Sequence, residues 1–359
     1  MINVTKTFLP SFEEYTAVLK RAWDKEWITN NGILVQELEL KLKDYLQKEY
    51  LLYCTNGTIP LQLALKAFGI SKEVITTPFS YVATTNSILW EGCKPVFVDI
   101  EPDTFCIDAY KIEAAITSDT EAILATHVYG LPCNVEKIED IAGKYNLKVI
   151  YDAAHAFGCT YKKKSLLHYG DIVSCSFHAT KIFHTVEGGC IISNSKEMHD
   201  KLFLYRSFGH IGDEYYSIGI NGKNSEFHAA MGLVMLPKLE SIITERKKIF
   251  EIYDLTLPAI LTKPNYKLEN FQYNYSYYPV LFENEYILLK VKAKLFENEI
   301  IARRYFYPSL NTLPQAKEYF YSCPVSEDIS SRVLCLPLYP GLSEKEIFNI
   351  ADIITKEVS

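Results

Sequence analysis

A lysine stands four residues after a largely apolar run in this sequence, among small polar residues. The run IVSCSF, with Ser176 as its penultimate residue, leads into His178-Ala179-Thr180-Lys181. Lysine normally occupies solvated surfaces. Where it is buried, lost hydration lowers its pKa and leaves a neutral amine that can attack a carbonyl carbon. For this segment alone, a lysine in a surface loop is an equally good interpretation.

A second segment, Thr55-Asn56-Gly57-Thr58, lies between the run YLLYCT and the helical pattern IPLQLALKAFG. Gly57 allows the backbone to turn sharply. Free amide groups at the start of a helix form an anion site, which the helix dipole strengthens. The segment is not a P-loop, since the Gly-Lys-Ser/Thr ending is missing. An ordinary helix cap is the simpler interpretation of Gly57 and Thr58 by themselves.

Two more candidate residues follow predicted strands. Asp152 comes after the buried run Val149-Ile150-Tyr151, where a carboxylate can cap a turn, bind a metal or pair with a buried cation. His155 is a potential metal ligand, but no third ligand stands at a telling spacing, so we predict no metal site. Tyr81 follows the run EVITT. An aromatic ring there either joins the core or lies flat on a planar ligand.

Open parallel sheets bind ligands outside the carboxyl ends of their strands, so these four segments predict a single site. Together they match the needs of pyridoxal phosphate (PLP): a lysine for a Schiff base, an aspartate for the pyridinium nitrogen, a helix start for the phosphate and an aromatic side chain for the ring. Their order along the chain is that of the fold-type I enzymes. The segments therefore predict a PLP site.

The elements that must position this site alternate between short apolar runs and helical patterns. Such alternation predicts an α/β domain with a mostly parallel sheet. The predicted strands are YLLYCT, EVITT, PVFVDI, AILATHV, LKVIYDAA, IVSCSF and GGCIISNS. After about residue 260 the order becomes strand QYNYSYYPVLF, helix ILLKVKAKLFENE, aromatic strand IIARRYFYP and helix EIFNIADIITKEV, with a capping box at Ser343 and Glu346. This second part predicts a smaller α+β domain.

Composition and charge exclude several classes of protein. The 359 residues are 48% hydrophobic and 23% charged, as in globular proteins, and the formal net charge of −7 argues against a nucleic-acid partner. No apolar run approaches the ~20 residues of a membrane span, and the dinucleotide fingerprint GxGxxG is missing from the strand–helix junctions. Nine scattered cysteines and the lack of an apolar signal core predict reduced thiols and a cytoplasmic protein.

A series of segments matches a known sequence pattern in the same order along the chain, and the matches extend over nearly its whole length. The segments are WITNNGILVQELE, TNGTIPLQLAL, EVITTPFSYVATTNSI, PVFVDIEPDTFCID, HVYGLPCNVEKI, YDAAHAFG, GDIVSCSFHATK, VEGGCIISN, GINGKNSEFHAAMGL and LCLPLYPGLS. In these segments the sequence resembles the DegT/DnrJ/EryC1/StrS family of sugar aminotransferases. The resemblance implies a fold-type I PLP-dependent transferase, with a mostly parallel seven-stranded sheet in a large domain. We expect an N-terminal helix and arm over residues 1–30, the large PLP-binding domain over 31–240 and a smaller α+β domain over 241–359.

The resemblance also implies roles for individual residues. Lys181 is expected to form the Schiff base and to carry protons, and Asp152 to pair with the pyridinium nitrogen. His155, where many relatives have glutamine, is expected near the phenolic oxygen of the ring, and Tyr81 is expected to stack on the ring. The residues expected to hold the phosphate are Gly57, Thr58 and Ser176.

Further implications concern the subunits and the substrate pocket. Asn221 corresponds to an asparagine that reaches the cofactor phosphate of the neighbouring subunit, which implies a homodimer with shared active sites. Lys223 stands where relatives often have arginine, and the two side chains are not equivalent at a bidentate site. Lys223 and Tyr307 are the candidate substrate-binding residues, although the aromatic strand that contains Tyr307 is equally well explained as core.

Lys181 favours transamination, because a dehydrating subgroup of the family has histidine at this position. The segments GINGK and ARRYFYPSLN resemble most the members that form dTDP-4-amino-4,6-dideoxyglucose (viosamine) for O-antigen and other surface polysaccharides. The resemblance thus implies L-glutamate as amino donor, a dTDP-4-keto-6-deoxyhexose as acceptor and pyridoxamine phosphate as the intermediate cofactor form. The alternatives are an aminotransferase for 3-keto-6-deoxyhexoses and a PLP-binding regulator without activity.

Overall fold

The computed structural model describes residues 1–319 and 321–358, so Phe320 and Ser359 of the predicted small domain lie outside the described residues. Twelve α-helices lie within the described part. Side chains cap the start of many of them, among these α1, where Ser11 and Glu14 form a capping box. The helices are α1 Phe12–Trp23, α2 Ile33–Leu46, α3 Thr58–Phe68, α4 Ala83–Trp90, α5 Ala109–Ile112, α6 Val135–Tyr145, α7 Lys196–Arg206, α8 Glu226–Met235, α9 Leu239–Thr256, α10 Glu285–Glu297, α11 Pro324–Arg332 and α12 Glu344–Val358.

The strands are short, and those longer than three residues are buried along most of their length. They are β1 Ile2–Asn3, β2 Leu51–Cys54, β3 Glu73–Thr76, β4 Lys94–Phe97, β5 Thr120–Thr126, β6 Lys148–Asp152, β7 Thr160–Tyr161, β8 Lys164–Ser165, β9 Ile172–Ser176, β10 Gly189–Ser193, β11 His210–Ile211, β12 Glu214–Tyr215, β13 Phe271–Gln272, β14 Pro279–Leu281, β15 Ile300–Ile301 and β16 Val333–Cys335.

Seven strands form the central sheet in the order β2-β10-β9-β6-β5-β3-β4. Only β10 runs antiparallel to its neighbours, β2 and β9, and all other pairs are parallel. The carboxyl ends of β2, β6 and β9 therefore meet the start of β10 at one edge of the sheet. The predicted α/β fold with a mostly parallel seven-stranded sheet is confirmed.

Side chains on the two faces of this sheet enter two separate cores. Along β2, Leu52 and Cys54 pack with α3 and α7, whereas Tyr53 packs with α2 and α8. A strand that is apolar on both faces is stable only when helices cover both sides. The sheet is thus the middle layer of three, and only its edges and strand ends remain available for a site.

The C-terminal part is a smaller α+β unit, as predicted. Strand β14 pairs with β16, α10 packs on α12, and β15 pairs in parallel with β1 from the N-terminus. The capping box that begins α12 is confirmed, because the Ser343 amide donates to Glu346 Oε2 at 2.8 Å and the Glu346 amide donates to Ser343 Oγ at 3.3 Å. Helix α9 begins at Leu239, beside the predicted domain boundary at residue 240.

Two predictions about the C-terminal half were wrong. The stretch QYNYSYYPVLF is not one strand, because residues 273–278 leave the extended conformation and Tyr275 has a φ of 56°. The aromatic strand IIARRYFYP consists only of Ile300–Ile301, followed by a single bridge between Arg303 and Cys335.

The nine cysteines are all unpaired and buried. Burial raises the pKa of seven of their thiols: Cys54, Cys93, Cys133, Cys159, Cys190, Cys323 and Cys335. Within residues 1–319 and 321–358, no helix combines the length and the apolar character needed to cross a membrane. The same residues contain no group of three His, Cys, Asp or Glu side chains that could hold a metal ion.

Candidate active site

The sheet brings the predicted phosphate cup and Ser176 together. Gly189, the first residue of β10, pairs with Cys54 at the end of β2 and with Ser176 at the end of β9. The loop after Cys54 therefore lies against the end of β9, and Ser174 Oγ donates a hydrogen bond to the Gly57 carbonyl at 2.8 Å. Residues that are far apart in the sequence thus line one side of the site.

The reason for a glycine at position 57 differs from the predicted one. Gly57 has ordinary helical angles, φ −85° and ψ −9°, so no sharp turn requires it. The requirement is space, since a Cβ at this position would lie 2.7 Å from Ser176 Cβ. The helix start is also less open than predicted, because the amides of Thr58 and Ile59 both donate to Asn56 Oδ1 at 2.9 Å. Asn56 caps α3, which leaves the Thr58 and Ser176 hydroxyls as candidate anion ligands.

Gly57→Ala is expected to lower the free energy of unfolding by about 1–3 kcal/mol, because the added methyl group would overlap Ser176. Urea denaturation of the purified variant measures this change. Gly143→Ala is the matched control: this glycine lies inside α6, and no atom lies within 4 Å of the place where its methyl group would be. We expect a gain of about 0.5–1 kcal/mol from this control. Equal stability of Gly57→Ala and the original protein would mean that β9 moves aside at no cost.

Asp152 ends β6 inside a chain of buried hydroxyl groups. Its Oδ2 accepts from Thr84 Oγ1 at 2.7 Å and its Oδ1 accepts from the Ala154 amide at 3.0 Å. Behind it, Thr84 Oγ1 lies 2.8 Å from Ser80 Oγ, which in turn accepts from Thr126 Oγ1 at 3.1 Å. Burial raises the pKa of the Asp152 carboxyl. A cationic partner in the cavity would therefore stabilise its charged form.

Lys181 lies in the turn after β9, and its side chain points into the protein. Its Nζ donates to Tyr277 Oη at 3.3 Å. Burial lowers the pKa of the Lys181 amine, and the negative charge of Asp152 opposes this shift only in part. The loop-surface interpretation of this lysine is therefore excluded. A buried amine with a lowered pKa is what nucleophilic attack on a carbonyl needs.

His155 presents one defined nitrogen to the cavity. Its Nδ1 accepts from the Tyr129 amide at 3.2 Å, and burial lowers the pKa of the ring well below its usual value. A neutral ring whose Nδ1 is an acceptor carries its proton on Nε2. Stacking on Phe306, with ring centroids 5.5 Å apart, fixes the ring plane. His155 Nε2 is thus a hydrogen-bond donor for a ligand.

One cavity of about 320 Å³ collects most of the predicted residues. The predicted residues on its walls are Gly57, Thr58, Tyr81, Asp152, His155, Ser176 and Lys181. Its other lining residues include Tyr277, which the sequence pattern did not indicate, and Arg303 and Tyr305, whose segment was equally well explained as core. The sequence signal for Tyr277 is the tyrosine-rich segment QYNYSYYPVLF, whose composition predicts a strand and not a site.

Three predicted residues lie outside this cavity. Asn221 is exposed and forms a backbone bridge with Ser207. Lys223 is placed with its Nζ 4.7 Å from the centre of the Phe208 ring. Tyr307 is about half exposed, and the Arg304 guanidinium lies 3.3 Å from the centre of its ring. Within one chain, therefore, these residues do not contact the groups around Lys181.

Comparison with known proteins decides the family. Residues 11–355 match the DegT/DnrJ/EryC1/StrS aminotransferase family. The chain belongs to this family. It is therefore an aminotransferase, and the proposed resemblance is confirmed.

Individual relatives agree with this family assignment. The dTDP-4-amino-4,6-dideoxy-D-glucose transaminase of Shigella dysenteriae is 44% identical over 95% of each chain. The transaminase of the same name from Escherichia coli is 41% identical over 98% of each chain. Among solved structures, DesI in the presence of its TDP-sugar product superposes with a TM-score of 0.94 at 28% identity, over 99% of this chain and 93% of DesI. The DegT-family chain thus has the fold of the fold-type I aminotransferases.

Proposed function

We propose that this DegT-family enzyme transfers the amino group of L-glutamate to a dTDP-4-keto-6-deoxyhexose, with PLP as cofactor and dTDP-4-amino-4,6-dideoxy-D-glucose as product. One observation carries the chemical part of the proposal: the partly buried Lys181 amine and the buried Asp152 carboxylate line the same cavity. The relatives at 44% and 41% identity support the substrate. The nine buried thiols support a reducing, cytoplasmic setting.

The residues around the cavity fit PLP. The raised pKa of Asp152 suits a carboxylate that waits for a cation, and a pyridinium N–H supplies both the charge and the hydrogen bond. The Nε2–H of His155 is a donor for the phenolic oxygen, and the Tyr81 ring is available for stacking. Gly57 and Ser176, which are proposed to hold the phosphate, approach each other so closely that a side chain at position 57 would have no room.

The chain's own groups can carry out the proton transfers of transamination. PLP, when bound, supplies an electron-accepting ring that stabilises negative charge on the carbon that loses a proton. Lys181 Nζ accepts the proton from the α-carbon of glutamate, and in the second half of the reaction it delivers a proton to the sugar carbon that receives the amine. Asp152, held in place by Thr84 and the Ala154 amide, keeps the proton on the ring nitrogen.

The experiment that tests this function combines two substrates and one spectroscopic assignment. Purified holoenzyme is incubated with L-glutamate and dTDP-4-keto-6-deoxyglucose, and the product is analysed by NMR. We expect 2-oxoglutarate and a sugar whose amine is on C4 with equatorial geometry. A parallel incubation contains the 3-keto isomer. If only that incubation gives an aminated sugar, with the amine on C3, the substrate is the alternative 3-keto-6-deoxyhexose. A visible cofactor band that glutamate leaves unchanged would instead point to a PLP-binding regulator.

We also propose that the enzyme is a homodimer with active sites shared between subunits. Exposed apolar side chains surround Asn221 on the surface of the chain, and such a patch usually marks an interface. They are Phe208, Ile211, Tyr215, Tyr216, Ile218 and Ile220. The Gly222 carbonyl accepts from the Thr55 amide at 3.0 Å, so the Asn221 segment lies directly beside the phosphate cup of its own chain. Contact between two such segments would bring Asn221 toward the cup of the partner.

At a PLP concentration that nearly saturates the original dimer but leaves most Asn221→Ala sites empty, a hybrid dimer of Lys181→Ala and Asn221→Ala subunits is expected to be more active than either parent dimer. If Asn221 acts in the neighbouring site, one site of the hybrid carries both defects and the other carries none. The hybrid, purified through two different affinity tags, should then show about half the kcat of the original dimer, whereas Asn221→Ala alone should retain PLP about tenfold more weakly. A hybrid no more active than its parents would place Asn221 in the site of its own chain.

A further inference from the structure

Tyr277 is the side chain that contacts the Lys181 amine. The Lys181 Nζ–Tyr277 Oη distance is 3.3 Å, and Nζ lies 5.9 Å from the centre of the Tyr277 ring. Tyr277 also lines both cavities into which the Lys181 side chain extends. The roles proposed above for Lys181 leave one task open, namely how the amine is held while it carries a proton.

The protein fixes the Tyr277 backbone from several sides. Arg246, which is buried in α9, donates to the carbonyls of Tyr275 at 3.2 Å and Ser276 at 3.1 Å. The Tyr273 hydroxyl donates to the Tyr277 carbonyl at 3.1 Å and accepts from the Tyr277 amide at 3.2 Å. These contacts replace the strand ladder that the sequence pattern favoured, so the segment is anchored although it is irregular.

Aromatic contacts fix the Tyr277 ring as well. Its centroid lies 5.1 Å from the His155 ring at an interplanar angle of 76°, 5.3 Å from Tyr129 and 5.8 Å from Tyr305. The segment is tied to the cofactor-side loop, because Asn274 Nδ2 donates to the His155 carbonyl at 2.8 Å. A ring held on three sides cannot turn its hydroxyl away from Lys181 without disturbing His155.

The charges around the pair suit a proton held on Lys181. Burial raises the pKa of the Tyr277 hydroxyl well above its usual value, so the phenol keeps its own proton and its oxygen accepts from an ammonium group. Burial lowers the pKa of Lys181, so a protonated amine there needs compensating contacts. The titratable groups that influence either member of the pair are Asp152, His155, Cys175, Tyr81, Tyr305, Arg246 and Cys335.

We propose that Tyr277 is a catalytic residue of this aminotransferase: its hydroxyl oxygen accepts a hydrogen bond from the protonated Lys181 amine between the removal of a proton from one carbon and its delivery to the next. The inference rests on the proposed function. No bond of Tyr277 breaks, because the transferred proton moves from carbon to Lys181 Nζ and then to carbon, while the phenol keeps its hydrogen. Tyr277 thus stabilises the proton carrier without being one.

The test is Tyr277→Phe, which keeps the ring and removes only the hydroxyl group. We expect kcat for amino transfer to fall about tenfold, with KM for both substrates within twofold, because one hydrogen bond to a charged group is lost. In the apoprotein, labelling of Lys181 by an amine reagent, followed by mass spectrometry over a pH series, should reach half its maximum about one pH unit lower than in the original protein.

Tyr275→Phe is the matched control. Tyr275 lies two residues before Tyr277 on the same segment. Its ring packs on Phe250, with the ring centroids 5.3 Å apart, and its side chain lies outside both cavities that contain Lys181. We expect its kcat and its labelling profile to be those of the original protein. Unchanged kcat and unchanged labelling in Tyr277→Phe would overturn the role of Tyr277. A failure of the proposed substrate would leave the labelling arm intact, so the two failures are distinguishable.

Discussion

Lys181→Ala is expected to lower kcat for amino transfer by about 10²–10⁴-fold, the usual contribution of a positioned acid–base group. The methyl side chain removes the only group assigned to carry protons between glutamate, cofactor and sugar. Cofactor binding should survive, since Asp152, His155 and Ser176 are untouched and line the same cavity. Turnover measured by 2-oxoglutarate release, together with the visible spectrum of the variant after gel filtration, separates the two effects.

Two controls sharpen this result. Lys292→Ala removes an exposed lysine from α10 and should leave kcat unchanged. Adding ethylamine to Lys181→Ala should restore part of the activity, because a small amine fits the space that the lysine side chain leaves and takes over its proton transfers. Near-normal turnover of Lys181→Ala without added amine would contradict the assignment of Lys181 as the proton carrier.

Asp152→Asn is expected to weaken PLP retention and kcat by about 10²–10³-fold each, because removing one member of a buried charge pair leaves the other uncompensated. Burial already raises the pKa of the Asp152 carboxyl, so an ionised acid at this position lowers the stability of the folded protein. An amide of the same shape keeps the contact with Thr84 but cannot hold a proton on a pyridinium nitrogen. Equilibrium dialysis and steady-state kinetics measure the two losses.

Asp200→Asn is the control for this substitution. Asp200 forms an exposed ion pair with Lys196 in α7, and exposed pairs of this kind contribute little to stability. Both PLP retention and kcat should be unchanged in that variant. If Asp152→Asn retained PLP as tightly as the original protein, the pairing of Asp152 with the cofactor ring would be wrong.

The residues at the strand ends could be predicted because their positions follow from local patterns and one topological rule. Buried parallel strands appear as unbroken apolar runs, and their carboxyl ends meet at one edge of the sheet. Asp152 ends one such run and Lys181 lies in the turn after another, so their convergence on one cavity required no knowledge of distant contacts. The anion cup was predictable only in part, since the side chain of Asn56 takes the amides that the pattern left free.

The surroundings of Tyr277 could not be predicted from local sequence. Its segment has the aromatic composition of a strand. It leaves that conformation because other groups satisfy backbone groups that a ladder would otherwise satisfy: Arg246 donates to the Tyr275 and Ser276 carbonyls, and Asn274 Oδ1 accepts from the Ser276 amide. The carbonyl that Asn274 contacts belongs to His155, 119 residues earlier in the chain. Helix α7 was missed for another reason: only Leu202 and Arg206 of its residues are buried, so it has almost no apolar stripe.

The burial of every cysteine has a consequence for how this protein can be observed. Cys54, Cys175 and Cys190 lie on three adjacent strands beside the predicted phosphate cup. A sulfhydryl dye added to the native enzyme can react only during transient opening of the chain, so its rate of colour formation measures how often the regions around the nine buried cysteines open. Any compound that binds preferentially to the closed form must lower the rate of colour formation in proportion to its occupancy. The cysteines of the enzyme therefore serve, together with an added sulfhydryl dye, as an indicator of ligand binding.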